Sequence, residues 1–395
     1  MARGAGSSVH SPYSIMRVTP LLLALVLVGC DSGGLEAGEP FSYATDGTDS
    51  AVDVVQAPNG DLVVTGSTEG VQRPADGTLA LPTVLRFGLD GELTSAEVYR
   101  DLGFGSVQGV ALVDGGLAIA VSAGPDDPGA TEVTVYLTDD EGRRQNVVLR
   151  PDAGFTQRSN VRVLDDGSVA VAVYAATVTS PQLYLLRPDG TVVWSERLAN
   201  VQDILALEAA PGGDLYVLGS GSQGSTITRV SGADGSEVWG AVRPSSWTAS
   251  SLARTASGLA VLESNPAEAT LRVSRLCEDG ARLSTATVVQ LDTEGESSRS
   301  LNGTAIEALS NDRVAVAWVE SGPSFQTPPD AYVAVVGLEV ESAARFGERG
   351  RWAAVNALQA LTDGRVAAVG EAGPEFIGGF GGDDFDVRVT LYDVD

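Results

Sequence analysis

The chain has 395 residues, with 52 acidic against 25 basic side chains and a formal net charge of −27. All 25 basic residues are arginine, the single His is His10, both methionines (Met1, Met16) lie in the first 16 positions, and the cysteines are Cys30 and Cys277. Beyond residue 16 this excludes a His-based nucleophile system, a His-ligated zinc, a Schiff-base lysine and a Walker-type phosphate loop. Carboxylate acid–base chemistry and oxygen-ligand metals such as calcium remain. The acidity repels phosphate backbones, so no nucleic-acid partner is expected. Its simplest reading is a solvated surface tuned for a salty medium.

In chain order, the first element is an address. Residues 18–28, VTPLLLALVLV, form a short apolar run behind Arg17, too short to span a bilayer and of secretory-signal length. The run ends in LVGC at Cys30, which resembles the lipobox of bacterial lipoprotein precursors. The resemblance implies a signal peptide over residues 1–29 (the true start being Met1 or Met16) and a lipid anchor on Cys30. Several acyl chains are needed, because one alone binds membranes marginally. The expected location is the bacterial cell envelope, anchored to a membrane and exposed to periplasm or cell surface. Residues 30–39 read as a flexible tether. Cys277 has no partner within the mature chain and reads as a small buried thiol.

Residues 40–395 then repeat one pattern seven times. An apolar-alternating run, a turn of Asp, Asn or Gly, and a second such run recur from VDVVQAPNGDLVVTGS to LQALTDGRVAAVGEA. Asn-Gly and Asp-Gly between alternating runs signal hairpins, with φ > 0 expected at both central positions. Each unit has a second half: a further strand, a second turn such as Asp90-Gly91 or Asp234-Gly235, and a fourth strand. Four strands in about 50 residues, seven times over, predict an all-β fold: a seven-bladed β-propeller. The rival β-solenoid has shorter coils without paired hairpin turns. The last unit stops after its third strand, so residues 41–45 are expected to supply its fourth and close the ring.

The segments RPDGTVVWSERL and SGADGSEVWGAV place Trp194 and Trp239 four residues after Gly190 and Gly235. This resembles the repeat of pyrroloquinoline-quinone-like (quinoprotein-type) propellers over about residues 160–245. The quinone enzymes of that group have adjacent cysteines forming a strained disulfide, and eight blades. Here only Cys277 follows the anchor and seven units are counted, so quinone-dependent dehydrogenation is not expected. A nearer functional analogue is the lipidated, non-catalytic propeller of the outer-membrane assembly machinery.

In a propeller the tight turns joining strands one–two and three–four share a face, while two–three loops and blade links share the other, where ligands usually bind. The two–three loops of units six, seven, one and two are long and adjacent in a closed ring, forming one arc. Candidate binding residues there are Arg73, Asp76, Asp126, Asp127, Phe325, Glu375, Phe376, Phe380, Asp383 and Asp384. Asp383, Asp384 and Asp386 are candidates for calcium, without the spacing of a defined loop; no other cofactor is expected. Carboxylates in the Asp-Gly turns read as structural. The expectation is a monomeric, lipid-anchored, non-catalytic module that binds an envelope protein or glycan. The alternative is a carboxylate-dependent glycoside hydrolase or lyase on the same scaffold.

Overall fold

The computed structural model describes residues 35–45, 49–73, 77–100, 104–114, 116–124, 133–138, 144–149, 156–175, 181–198, 201–291, 299–322, 327–349, 351–375 and 385–394. They form seven antiparallel meanders. Blade one comprises β3 (Asp49–Gln56), β4 (Leu62–Arg73), β5 (Gly77–Phe87) and β6 (Leu93–Val98). Blade two is β7 (Phe104–Val113) to β10 (Arg144–Leu149), and blade three is β11 (Thr156–Val163) to β14 (Val192–Arg197). Blade four comprises β15 (Asp203–Ala209), β16 (Leu215–Gly221), β17 (Gly224–Val230) and β18 (Glu237–Val242). Blade five has β19 (Thr248–Thr255), β20 (Gly258–Asn265), β21 (Thr270–Leu276) and β22 (Arg282–Gln290). Blade six has β23 (Ser300–Ala308), β24 (Val314–Ser321), β25 (Asp330–Val336) and β26 (Val340–Phe346).

Blade seven closes the ring. It holds β27 (Arg351–Ala360), β28 (Val366–Glu375) and β29 (Asp386–Asp393). Its outer strand comes from the other end of the chain, as β1 (Glu36–Ala37) and β2 (Phe41–Tyr43), both antiparallel to β29. The expected closing strand is therefore present, and it starts further upstream than residue 41. Pro40, which has no N–H to donate, separates the two pieces. Each inner strand packs on the next, and β27 packs on β3.

Period-two alternation explains why sheets stack this way. In β28, Val366 and Ala368 join the core shared with blade six, while Ala367 and Val369 join the core shared with blade one. The same split gives seven apolar cores, one at each blade interface. Both faces of every sheet are buried, so strands read as near-continuous runs of Val, Leu and Ala.

The turns correct one expectation. In the described turns that end in Gly60, Gly91, Gly167, Gly190, Gly235, Gly280 and Gly364, only the glycine of the Asn-Gly or Asp-Gly pair takes positive φ, from +77° at Gly190 and Gly235 to +94° at Gly60. Gly60 N–H donates to the Ala57 carbonyl at 2.9 Å, and Ala57 N–H to the Asp61 carbonyl at 2.8 Å. That is a three-residue loop, a turn followed by one left-handed residue, rather than a two-residue turn with both φ positive. The preceding Asp accepts the N–H two residues on, as Asp166 does from Ser168 (2.9 Å) and Asp279 from Ala281 (3.0 Å). The turn carboxylates are thus structural, as expected. The first turns of blades four to six depart from this form: Gly212 and Gly213 both take positive φ in blade four, Ala256-Ser257 links paired Thr255 and Gly258 in blade five, and Asn311 (φ +60°) and Asp312 (φ +58°) turn without glycine in blade six.

Candidate functional site

The expected arc is only partly within the described residues. Asp76, Asp126, Asp127, Phe325, Phe376, Phe380, Asp383 and Asp384 lie outside them. Arg73 ends β4, paired with Gly77, and Glu375 ends β28, paired with Arg351. The unit-one segment read as a long loop is mostly an extended two-stranded ribbon, paired from Thr68↔Leu81 to Arg73↔Gly77, whose ladder bonds satisfy the backbone. Asp386 opens β29, opposite Ala372. Among the described residues no group of acidic or Cys side chains could hold a metal. Cys277 is half-buried rather than buried, since it sits in the three–four turn of blade five.

The inner strands carry a charged set around the ring's axis that sequence reasoning missed. Arg162, Glu208 and Glu307 occupy one register position, opposite the second residue of the next strand in blades three, four and six. Arg162 pairs with Glu208 and donates from Nε to the Leu207 carbonyl at 3.2 Å. Its side chain keeps 36 % exposure, so solvent reaches this level of the channel. The carboxylate of Glu208, ahead of those of Glu307 and Asp53, holds the guanidinium's proton affinity above its ordinary value. Burial pushes Glu307 up to about 7, with Arg162 opposing and Glu208 assisting. Burial likewise raises Asp53.

These carboxylates are tied to neighbouring backbone. Asp53 accepts from Val54 N–H at 2.9 Å and from Val110 N–H of blade two at 3.0 Å. Glu208 also accepts from Ala209 N–H (3.2 Å), and Glu307 from Ala360 N–H of blade seven (3.5 Å). Asn356 donates to the Ala51 carbonyl (2.7 Å) and Gln56 accepts from Thr362 N–H (2.8 Å), sealing blades seven and one. Ionisable residues inside apolar strands, as in NVRVL, LALEA and AIEAL, were the sequence signal for this set.

A second buried cluster lies between blades four and five. Glu263 is fully buried and accepts from Arg243 Nε (2.6 Å), Arg272 Nε (2.9 Å) and Ser274 Oγ. Burial alone would raise its proton affinity; the hydrogen bonds from Arg243 and Ser274, together with the charges of Arg243 and Arg272, outweigh burial and leave the carboxyl below its ordinary range. The Arg272 guanidinium stands 3.3 Å over the Trp247 ring.

On the tight-turn face, outer strands dock onto the three–four turn of the next blade. Trp194 Nε1 donates to the Gly232 carbonyl and Trp239 Nε1 to the Glu278 carbonyl, each at 2.9 Å. A β-carbon on Gly235 would stand 3.0 Å from Trp194, and one on Gly280 3.0 Å from Trp239. Gln145 fills the same place between blades two and three, donating to the Asp189 carbonyl. Between blades five and six the corresponding residue, four after Gly280, is Ser284. There a groove of about 720 Å³ opens, lined by Arg275, Leu283, Ser284, Asp312, Leu338 and their neighbours.

No family model matches the chain, and no curated protein matches it by sequence. Solved structures do. The Dos1 propeller is 11 % identical over 91 % of this chain and 96 % of its own, with a TM-score of 0.53. Hydrazine synthase from Kuenenia stuttgartiensis is 12 % identical over 89 % of this chain and 97 % of its own, with a TM-score of 0.54. The chain is a seven-bladed β-propeller. Likeness at this identity concerns the fold alone, since propellers host unrelated functions.

Proposed function

We propose that the protein is a lipid-anchored propeller of the bacterial cell envelope that acts as a non-catalytic binding or scaffold module. Cys30 carries the acyl chains, and the two–three connections of blades six, seven, one (the β4–β5 ribbon) and two meet an envelope protein or glycan. The observation that carries the non-catalytic part is the bonding of the channel carboxylates. Asp53, Glu208 and Glu307 each accept backbone N–H groups, two of these from the next blade, and Glu208 is also held by Arg162. Groups so engaged serve as staples between sheets. The sequence-based resemblance to lipoprotein precursors supports the anchor, and the Trp194 and Trp239 docks agree with a quinoprotein-type repeat.

The hydrolase or lyase reading draws on one specific feature, the carboxyl of Glu307 held up to about 7 by burial. Two experiments separate the readings. Mass spectrometry of the mature N-terminal peptide is expected to find an acylated Cys30, with Cys30→Ser moving the protein from membrane to soluble fractions. A panel of envelope polysaccharides is expected to remain uncleaved; turnover lost on Glu307→Gln would replace the binding reading with the catalytic one.

A further inference from the structure

We infer that the groove between blades five and six is a docking site for a tryptophan side chain carried on an extended segment of a partner protein. This goes beyond the loop-arc reading and uses the opposite face, so it stands or falls separately. The argument is internal to the molecule. At two junctions of this ring the next blade's three–four turn is covered by an indole from the preceding outer strand, with its N–H on a turn carbonyl. A phenyl ring, Phe41, takes the place at the seam, 3.1 Å from a β-carbon built on Gly91. Blade five offers Ser284 at that position. A hydroxymethyl group cannot cover what an indole covers, and the groove is the volume left over.

The groove's walls suit an aromatic guest. Leu338, at the turn of blade six, is 84 % exposed, and Leu283 beside Ser284 is 52 % exposed. These two large apolar side chains line one groove from adjacent blades. Arg275, itself only 5 % exposed, also lines it. Its Nη2 donates to the Asp312 carbonyl (2.9 Å) and the Val336 carbonyl (3.1 Å), while its buried Nη1 has no acceptor. The Asp312 and Glu341 carboxylates offset Arg275 and Arg313 within the lining, so a neutral aromatic is preferred over a free anion. Indole is also the side chain that combines a large apolar area with a single N–H donor, matching the exposed leucines and the turn carbonyls.

The test uses the full-length chain in detergent and a blocked, fluorescein-labelled peptide copying residues 189–198, DGTVVWSERL, read by anisotropy. Saturable binding is expected, at least about tenfold weaker when the peptide's Trp is replaced by Ala. Ser284→Trp fills the dock from within: peptide binding falls at least about tenfold and the melting temperature rises. Leu338→Asp, at an exposed position, weakens binding with unchanged melting and serves if Ser284→Trp does not fold. Equal affinity for both peptides, undiminished binding to both variants, or no saturation at millimolar peptide would overturn the inference. Self-association of the native chain that Ser284→Trp abolishes would overturn it in favour of a second copy as the occupant.

Discussion

The ring of Phe41 packs over Gly91, so the strand that closes blade seven is seated on a turn of blade one. Gly91 has φ +87°, and a β-carbon there would stand 3.1 Å from the phenyl ring. Gly60 has nearly the same φ, +94°, with nothing within 4 Å of such a carbon. Gly60→Ala therefore carries backbone strain alone, about 1–2 kcal/mol. Gly91→Ala adds overpacking against Phe41, so a further loss of about 1 kcal/mol or more is expected. Denaturant midpoints of the two variants give the comparison, and equal losses would refute the seating of Phe41.

Closure itself is testable. Removing residues 36–43 uncovers the edge of β29 and takes Phe41 and Tyr43 from the seam core that includes Val387, Val389 and Leu391. The melting temperature is expected to fall by roughly 10 °C or more. A milder form is Asp49→Ala. Asp49 is fully buried and accepts from Thr45 N–H (2.7 Å), Thr45 Oγ1 (3.1 Å) and Thr68 Oγ1. Losing this shared buried acceptor costs about 1–3 kcal/mol. An unchanged melting curve in either variant would mean that the ring holds without its clasp.

Stability should decline as pH rises through neutrality. Burial raises Glu307 and Glu371 to about 7 in the folded protein, above their unfolded values. The folded state therefore binds these protons more tightly. The associated stability is fully present below the ordinary glutamate range and is lost as pH rises through about 7. Each pKa unit is about 1.4 kcal/mol, so the two groups together amount to a few kcal/mol. Melting temperatures from pH 5 to 8 should fall, and the slope should flatten in Glu307→Gln. A native profile flat over that range would contradict the burial of these carboxyls.

Glu263→Gln probes the opposite sign. Arg243 and Arg272 would lose the carboxylate that both engage. Breaking a buried pair from one side costs about 3–5 kcal/mol. A chemical-denaturation midpoint unchanged from the native chain would show that the cluster contributes nothing to the fit of blades four and five.

The fold was legible because a propeller repeats its instructions. Seven hairpins at near-regular spacing and an orphan strand before them were enough to place the closure. The turn chemistry was read correctly for Asp166 or Asp279 and incorrectly for φ, because an Asp-Gly pair serves both two- and three-residue loops. The channel set was overlooked for a different reason. Arg162, Glu208 and Glu307 sit in strands from three separate blades, and only register shows that they share a level. The groove between blades five and six was visible in principle as Ser284 in the place of Trp194 and Trp239. Its meaning needed the contact between each indole and the glycine of the following blade.

Glu36 and Asp393 are paired neighbours, as are Ala37 and Tyr392. A short linker from Val394 to Leu35 would make the seventh sheet an ordinary up-and-down meander like the other six. The chain could then be cut afresh at Gly212-Gly213, a turn where added β-carbons meet nothing within 4 Å. Such a circular permutant should fold to the same disc, with its point of covalent interruption moved from blade seven to blade four.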